Sequence, residues 1–169
     1  YHRAMELFDF TKLLSFEQTA SKTELIQTSF ASYITEGLIL QEEMNLVSVE
    51  KVERFLNHPI AQRIANAQKD GCCYKEQPFV LGIEANKLNP DFPKTEMVLI
   101  QGIIDLYCEE DGEIVLLDYK TDSVKSGDEL VKRYKTQMDY YAEAIERILN
   151  KKVKKKLLYS FALETTIVV

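Results

Sequence analysis

Two periodicities divide the chain near Gly71. Upstream, apolar residues recur at helical spacing. Met5, Leu7, Phe8, Leu13 and Leu14 lie along one side of His2–Leu14 and predict a first helix. A second is predicted over Thr23–Thr35, with Gly37 as its stop signal. Val49–Leu56 and Ile60–Ala67 read as two short helices parted by Asn57-His58-Pro59.

Downstream the period shortens to that of strands. Gln77–Ala85 is a strand candidate, and Asn89-Pro90-Asp91-Phe92-Pro93 is a loop. Glu96–Glu109 and Glu113–Lys120, rich in Ile, Val, Leu and Tyr, are the clearest strands, and Asp111-Gly112 between them signals a tight hairpin. Ser126-Gly127-Asp128-Glu129 has the pattern of a capping box and predicts a long helix to about Leu149. Lys155–Leu163 is a further strand, and Ile167–Val169 adds an edge. Helices, three strands, a helix and a strand, in that order, predict an α/β fold with a mixed central sheet flanked by helices. The expected organisation is a single domain over 1–169, helical over 1–70 with the core at 71–169.

Composition narrows the function classes. An apolar fraction of 46% and a charged fraction of 28% suit a soluble globular domain. No apolar run approaches the ~20 residues of a membrane span, and no secretory segment opens the chain, so a cytoplasmic protein is expected. Cys72, Cys73 and Cys108 form no CxxC pair and read as reduced thiols, which argues against zinc or an iron–sulfur cluster. The net charge of −6 disfavours tight free-standing binding to nucleic acid. Residues 1–117 hold 10 basic against 19 acidic side chains, and residues 118–169 hold 11 against 8. Any phosphate-facing surface is therefore expected in the C-terminal third. Lys151–Lys156 contributes much of that excess, although such a run also reads as a solvated loop.

The hairpin concentrates the chemistry. A two-residue turn at Asp111-Gly112 sets Glu110 opposite Glu113, Tyr107 opposite Leu116 and Asp105 opposite Asp118. Lys120, two residues beyond Asp118, projects from the same face. Ile104, Leu106, Cys108, Val115, Leu117 and Tyr119 then make the opposite, core-facing side; Ile103, Tyr107, Ile114 and Leu116 on the Asp105 side predict that it is covered too. Two carboxylates with Cβ atoms ~5 Å apart on a covered face are unfavourable unless neutralised. Protonation, pairing with Lys120 or a divalent cation would each do this. Oxygen donors suit Mg2+, with waters and a substrate phosphate as further ligands. On the long helix, Leu130, Tyr134, Gln137, Tyr141, Ile145 and Ile148 recur as one stripe. Gln137 is its polar member, and either finds partners in the seam or sits at its wetter edge. Arg133 flanks the stripe, where a phosphate or solvent could meet it.

The segments GIIDLYCEEDGEIVLLDYKTD (Gly102–Asp122) and RYKTQMDYYAEAI (Arg133–Ile145) together resemble the RecB-like branch of the PD-(D/E)xK nucleases, and within it the nuclease domains of AddAB-type helicase–nucleases. YHRAMELFDF extends the likeness to the start of the chain. The combination G-x-x-D, D-Y-K-T and Q-x-x-x-Y is far more specific than any one piece. The resemblance implies a restriction-endonuclease-like fold and Mg2+-dependent hydrolysis of DNA phosphodiesters, with Mn2+ as a substitute ion, in double-strand-break end processing and recombinational repair. It gives Asp105 and Asp118 as metal-binding acids, the Tyr119 carbonyl and His2 as further metal ligands, and Glu76 as a contact through water. Lys120 becomes the catalytic lysine, and Gln137 and Tyr141 support the site and the scissile strand. A single strand of DNA delivered by a helicase motor, and an AddB-like second subunit, are the implied partners. No GxxxxGK[ST] phosphate loop is present, so no nucleotide site is expected here and the chain reads as part of a larger helicase–nuclease. A lone His near a terminus is otherwise usually solvated. Two rival readings keep the fold without the chemistry: a non-catalytic nucleic-acid-guiding module, and a scaffold for protein contacts.

Overall fold

The computed structural model describes residues 1–16 and 21–169. Helices α1 (His2–Leu7), α2 (Thr23–Thr35), α3 (Gln41–Met44), α4 (Val49–Asn57) and α5 (Pro59–Lys69) come first. Strands β1 (Cys73–Glu84), β2 (Met97–Glu110) and β3 (Glu113–Lys120) follow, then helix α6 (Gly127–Leu149) and strands β4 (Val153–Ser160) and β5 (Thr165–Val168). The expected first helix is broken. Phe8 is extended at ψ 126, and the Asp9 carboxylate then accepts from the Thr11 N–H to open a separate 3-10 turn over Phe10–Ser15. Apolar spacing runs straight across this break, so periodicity alone could not reveal it. The four-residue α3 was not expected, and β1 begins four residues earlier than predicted. The fourth strand instead starts and ends early, at Val153 and Ser160.

The sheet runs β1-β2-β3-β4-β5. Only β3 and β4 are parallel, joined by α6 as the crossover, so the sheet is mixed. Asp111 and Gly112 have φ of 54° and 78°, as a type I′ turn requires. The register is the predicted one, with Glu110 opposite Glu113 and Tyr107 opposite Leu116. Ser126 makes no side-chain cap bond, contrary to the predicted capping box. Packing sets that end instead: a Cβ on Gly127 would come within 3.0 Å of Ile167 in β5.

Each face of the sheet closes its own core. Leu106, Cys108, Val115, Leu117 and Tyr119 pack with the N-terminal helices around Phe8, Phe10 and Phe55. Tyr107, Ile114, Leu116 and Leu158 pack under α6, against Leu130, Met138, Tyr141 and Ile145. Central strand β3 is buried on both faces from Ile114 to Lys120.

Alternation fails at one step. On β1, Cys73 faces the N-terminal helices, whereas Phe79, Leu81 and Ile83, of the same parity, face α6. On β2, Leu106 and Cys108 face the N-terminal helices, but Ile104 lies under α6. Both strands change sides between Lys75↔Leu106 and Gln77↔Ile104, where Glu76 has φ +49°. Glu76 and Asp105 thus behave as one extra residue in each strand, a doubled form of β-bulge. The expectation that Ile104 shares a side with Leu106 is corrected by this slip. So is the cover expected for Ile103, which is 51% exposed.

Candidate active site

The carboxyl ends of β3 and β4, the start of α1 and the first half of α6 meet around Asp118. Helix α1 is clamped at both ends. The Ser48 N–H donates to the Tyr1 hydroxyl at 3.0 Å, and the Lys75 ammonium donates to the Glu6 and Phe8 carbonyls at 3.0 and 2.5 Å. Those are unsatisfied carbonyls of a helix end, the usual place for a cation. So held, His2 reaches across to β3, and its Nε2 donates to the Tyr119 carbonyl at 2.8 Å. The same nitrogen lies 3.3 Å from Asp105 Oδ2.

The β2–β3 ladder is continuous to Leu106↔Leu117 and stops one pair short of Asp105 and Asp118. In place of the next rung, the Tyr119 N–H donates to Asp105 Oδ2 at 2.8 Å. The displaced Asp105 carboxylate therefore completes the strand's hydrogen bonding and faces His2 at once. Asp118 lies on the α6 side and is 2% exposed. Lys120 Nζ stands 2.6 Å from its Oδ2 without hydrogen-bond alignment, so that buried oxygen has no donor. The same ammonium lies 3.2 Å from Gln137 Oε1 and 3.7 Å from the centroid of the Tyr134 ring. Carboxylate, amide oxygen and ring face are three different partners for one cation. Gln137 Nε2 donates in turn to the Tyr141 hydroxyl at 2.5 Å.

Burial, with Asp105's charge second, pushes the Asp118 carboxyl up to about 6 against the pull of Lys120 and His2. Its bond to Asp105 raises the His2 imidazole above its ordinary range. The Glu76 carboxyl is raised by burial and by Asp105. Tyr141 is pushed up to about 12 by burial. Crowded acids whose charged forms are penalised are what a cation would relieve.

The donor spacing bears on whether these residues fit a divalent ion. Adjacent ligands of an octahedral Mg2+ stand about 3 Å apart, given bonds of ~2.1 Å. His2 Nε2 is 2.8 Å from the Tyr119 carbonyl oxygen and 3.3 Å from Asp105 Oδ2. Among the described residues no three His, Cys, Asp or Glu side chains suffice to cage a metal by themselves. A site here would draw on the Tyr119 carbonyl and on water. Mg2+ commonly keeps several waters, so the set fits. With His2 included the donors are mixed nitrogen and oxygen rather than oxygen alone, which also suits Mn2+.

Asp105, Asp118, Lys120, His2, Tyr119, Gln137 and Tyr141 are thus brought together, with Glu76 close by. Arg133 is not. It is exposed and paired with Asp122, which also accepts from the Tyr134 hydroxyl at 2.9 Å. Tyr134 and Asp122 are the members that sequence reasoning missed. In the sequence Tyr134 reads only as part of the apolar stripe, although its place one helical turn before Gln137 is the available signal. The stripe itself is rotated: Met138 and Ala144 are buried in it and Ile148 is 63% exposed. The basic run is largely neutralised, Lys151 by Glu109, Lys154 by Glu110 and Lys156 by Asp139. It offers less phosphate-facing surface than its composition promised.

The PD-(D/E)XK nuclease superfamily model matches residues 1–167. The chain is 35% identical to the ATP-dependent helicase/nuclease AddA subunit of Lachnoclostridium phytofermentans, over 96% of this chain and 14% of that protein. Identity is 39% to the protein of the same name from Clostridium kluyveri, over 95% and 13%. For that of Clostridium botulinum it is 35%, over 99% and 13%. The chain therefore spans about one seventh of the length of these relatives or slightly less. No described helix is long and apolar enough to cross a membrane.

Proposed function

The chain belongs to the PD-(D/E)XK nuclease superfamily, and from that premise we propose that it hydrolyses DNA phosphodiesters at the Asp105–Asp118–Lys120 site with the help of Mg2+. The observation that carries this reading is the convergence of His2 Nε2, Asp105 Oδ2 and the Tyr119 carbonyl beside a buried Asp118 whose Oδ2 is paired with Lys120. A bound divalent ion supplies charge neutralisation at the phosphate and an acidified water. His2, Asp105, Asp118 and the Tyr119 carbonyl would hold it, and Glu76 would act on it through water. Lys120 points its ammonium at the oxygen where negative charge grows, and Gln137 and the Tyr134 ring fix that ammonium's position. Tyr141 steadies Gln137. Arg133, once freed from Asp122, is available to a phosphate of the same strand.

As the nuclease part of a longer helicase–nuclease, the domain would receive single-stranded DNA from a motor and act with an AddB-like partner in double-strand-break repair. A domain that only guided nucleic acid or bound protein would have no use for a buried carboxylate 2.6 Å from a lysine ammonium. The test is release of nucleotides from single-stranded DNA with Mg2+ and with EDTA, using the wild-type chain and Asp118→Asn. Cleavage confined to the wild type with Mg2+ supports the reading. Equal activity in EDTA, or an active Asp118→Asn, overturns it.

A further inference from the structure

A cleft of about 420 Å3 opens between β2 and α6 beside the candidate site, and the hydrolytic scheme leaves most of its lining without a task. Phe79 and Gly102 form its floor, with Gln137, Tyr140 and Tyr141 on the α6 side; Gln101, next to Gly102 on the strand, projects its side chain from the opposite face. Gln137 and Tyr141 are shared with the Lys120 contacts. A phosphate held at Lys120 would therefore carry its neighbouring groups to the mouth of this cleft.

No charged side chain lines it. A phosphate would find no cation there, and phosphate contacts rest on cationic groups. Ring faces are instead the chemistry that receives a nucleobase, by stacking. The floor also explains a glycine. A Cβ on Gly102 would come 2.9 Å from the Phe79 ring and 3.6 Å from Tyr141, so it would crowd the edge-to-face pair that those rings make at 5.4 Å. Tyr141's hydroxyl is engaged by Gln137, whereas Tyr140 is half-buried at the rim.

Resting on the hydrolytic reading above, we propose that the cleft takes one unpaired nucleobase, that next to the phosphodiester held at Lys120. Tyr140 stacks on it. A base inside a duplex is stacked and paired and must first be extruded. The cleft thereby favours an already single strand, and it acts on the base rather than on the backbone.

The experiment measures binding by fluorescence anisotropy in Ca2+ buffer. It uses a short oligothymidylate and a phosphodiester strand of equal length built from abasic sugars. The wild-type chain should bind the thymidylate about tenfold more tightly, as one base–aromatic stack provides. Tyr140→Ala should bring the two probes level while leaving abasic binding unchanged, and Tyr140→Phe should keep the preference. Thermal melts check that each variant is folded. Equal wild-type affinity for the two probes, no binding of either, or a Tyr140→Ala loss that is the same on both, overturns the base cleft. Cleavage in Mg2+ is scored separately: inert wild-type protein with intact base preference overturns the hydrolytic reading alone.

Discussion

Lys120 and Asp118 pull in opposite directions, and the balance between them can be measured. If the lysine acts on the transition state, Lys120→Ala should lower the cleavage rate by ~100-fold or more, the loss that follows removal of one preorganised stabilising group. Mn2+ affinity should hold level or rise, since a competing cation 2.6 Å from Asp118 Oδ2 has gone. Activity restored by excess Mg2+ would instead make Lys120 a charge-balancing residue. For Asp118, the folded carboxyl titrates near 6 against 3.8 for the free group, so folding favours its protonated form. The associated stability is complete below about pH 4 and is lost as pH rises through about 6, on the order of 3 kcal/mol. Metal-free melts should therefore show Asp118→Asn gaining on the wild type between pH 4 and 7.5. A difference that does not vary with pH would place the strain elsewhere. Strand alternation alone put Asp118 and Lys120 on one face, whereas Asp105 reaches the same place through a displaced step that alternation does not encode. His2 was not legible, because its contact is to a backbone carbonyl 117 residues away, which no local pattern encodes.

Elements built on strong local signals match their sequence reading, among them the Asp111-Gly112 hairpin and the helix over Thr23–Thr35. What failed were local signals overruled by tertiary contacts. Ser126 has the right neighbours for a capping box, yet Ile167 and Gly127 decide how α6 begins. Lys75 ends α1 from another element altogether. The same dependence makes Gly102→Ala informative. Its methyl group would stand 2.9 Å from the Phe79 ring, and a packed aromatic floor yields only by moving. A destabilisation of about 1–3 kcal/mol is expected in denaturant titration. Activity should fall further than stability, because Tyr141 carries Gln137 with it. A cost below about 0.5 kcal/mol would mean that the floor is soft.

Across the molecule acid outweighs base, with a net charge of −6, and Lys151, Lys154 and Lys156 of the basic run are ion-paired. The chain alone should bind DNA weakly, since only a few phosphates can be neutralised, and what binding there is should fall as salt rises. Submicromolar binding at physiological ionic strength would contradict that. The mixed sheet with a core on each face followed from the order of periodic segments. The change of faces midway along β1 and β2 did not, because Gln77–Ala85 and Glu96–Glu109 each alternate plausibly without it.

That change of faces puts Asp105 and Glu76 outside the arithmetic that builds the core. Removing one residue from each strand at this step would leave every buried side chain pointing where it already points. Core packing therefore exerts no pressure to keep either acid; only chemistry can. A chain lacking both should fold into a smoother ladder and melt no lower than its parent, and yet cleave nothing. A chain lacking Glu76 alone should retain an ordinary bulge at Asp105 and still fold. A collapse of the melting transition in the double deletion would show that the insertion is woven into the fold itself. Survival would mean that a nuclease of this shape can lose its activity by contraction, two codons at a time, with no trace in its hydrophobic interior.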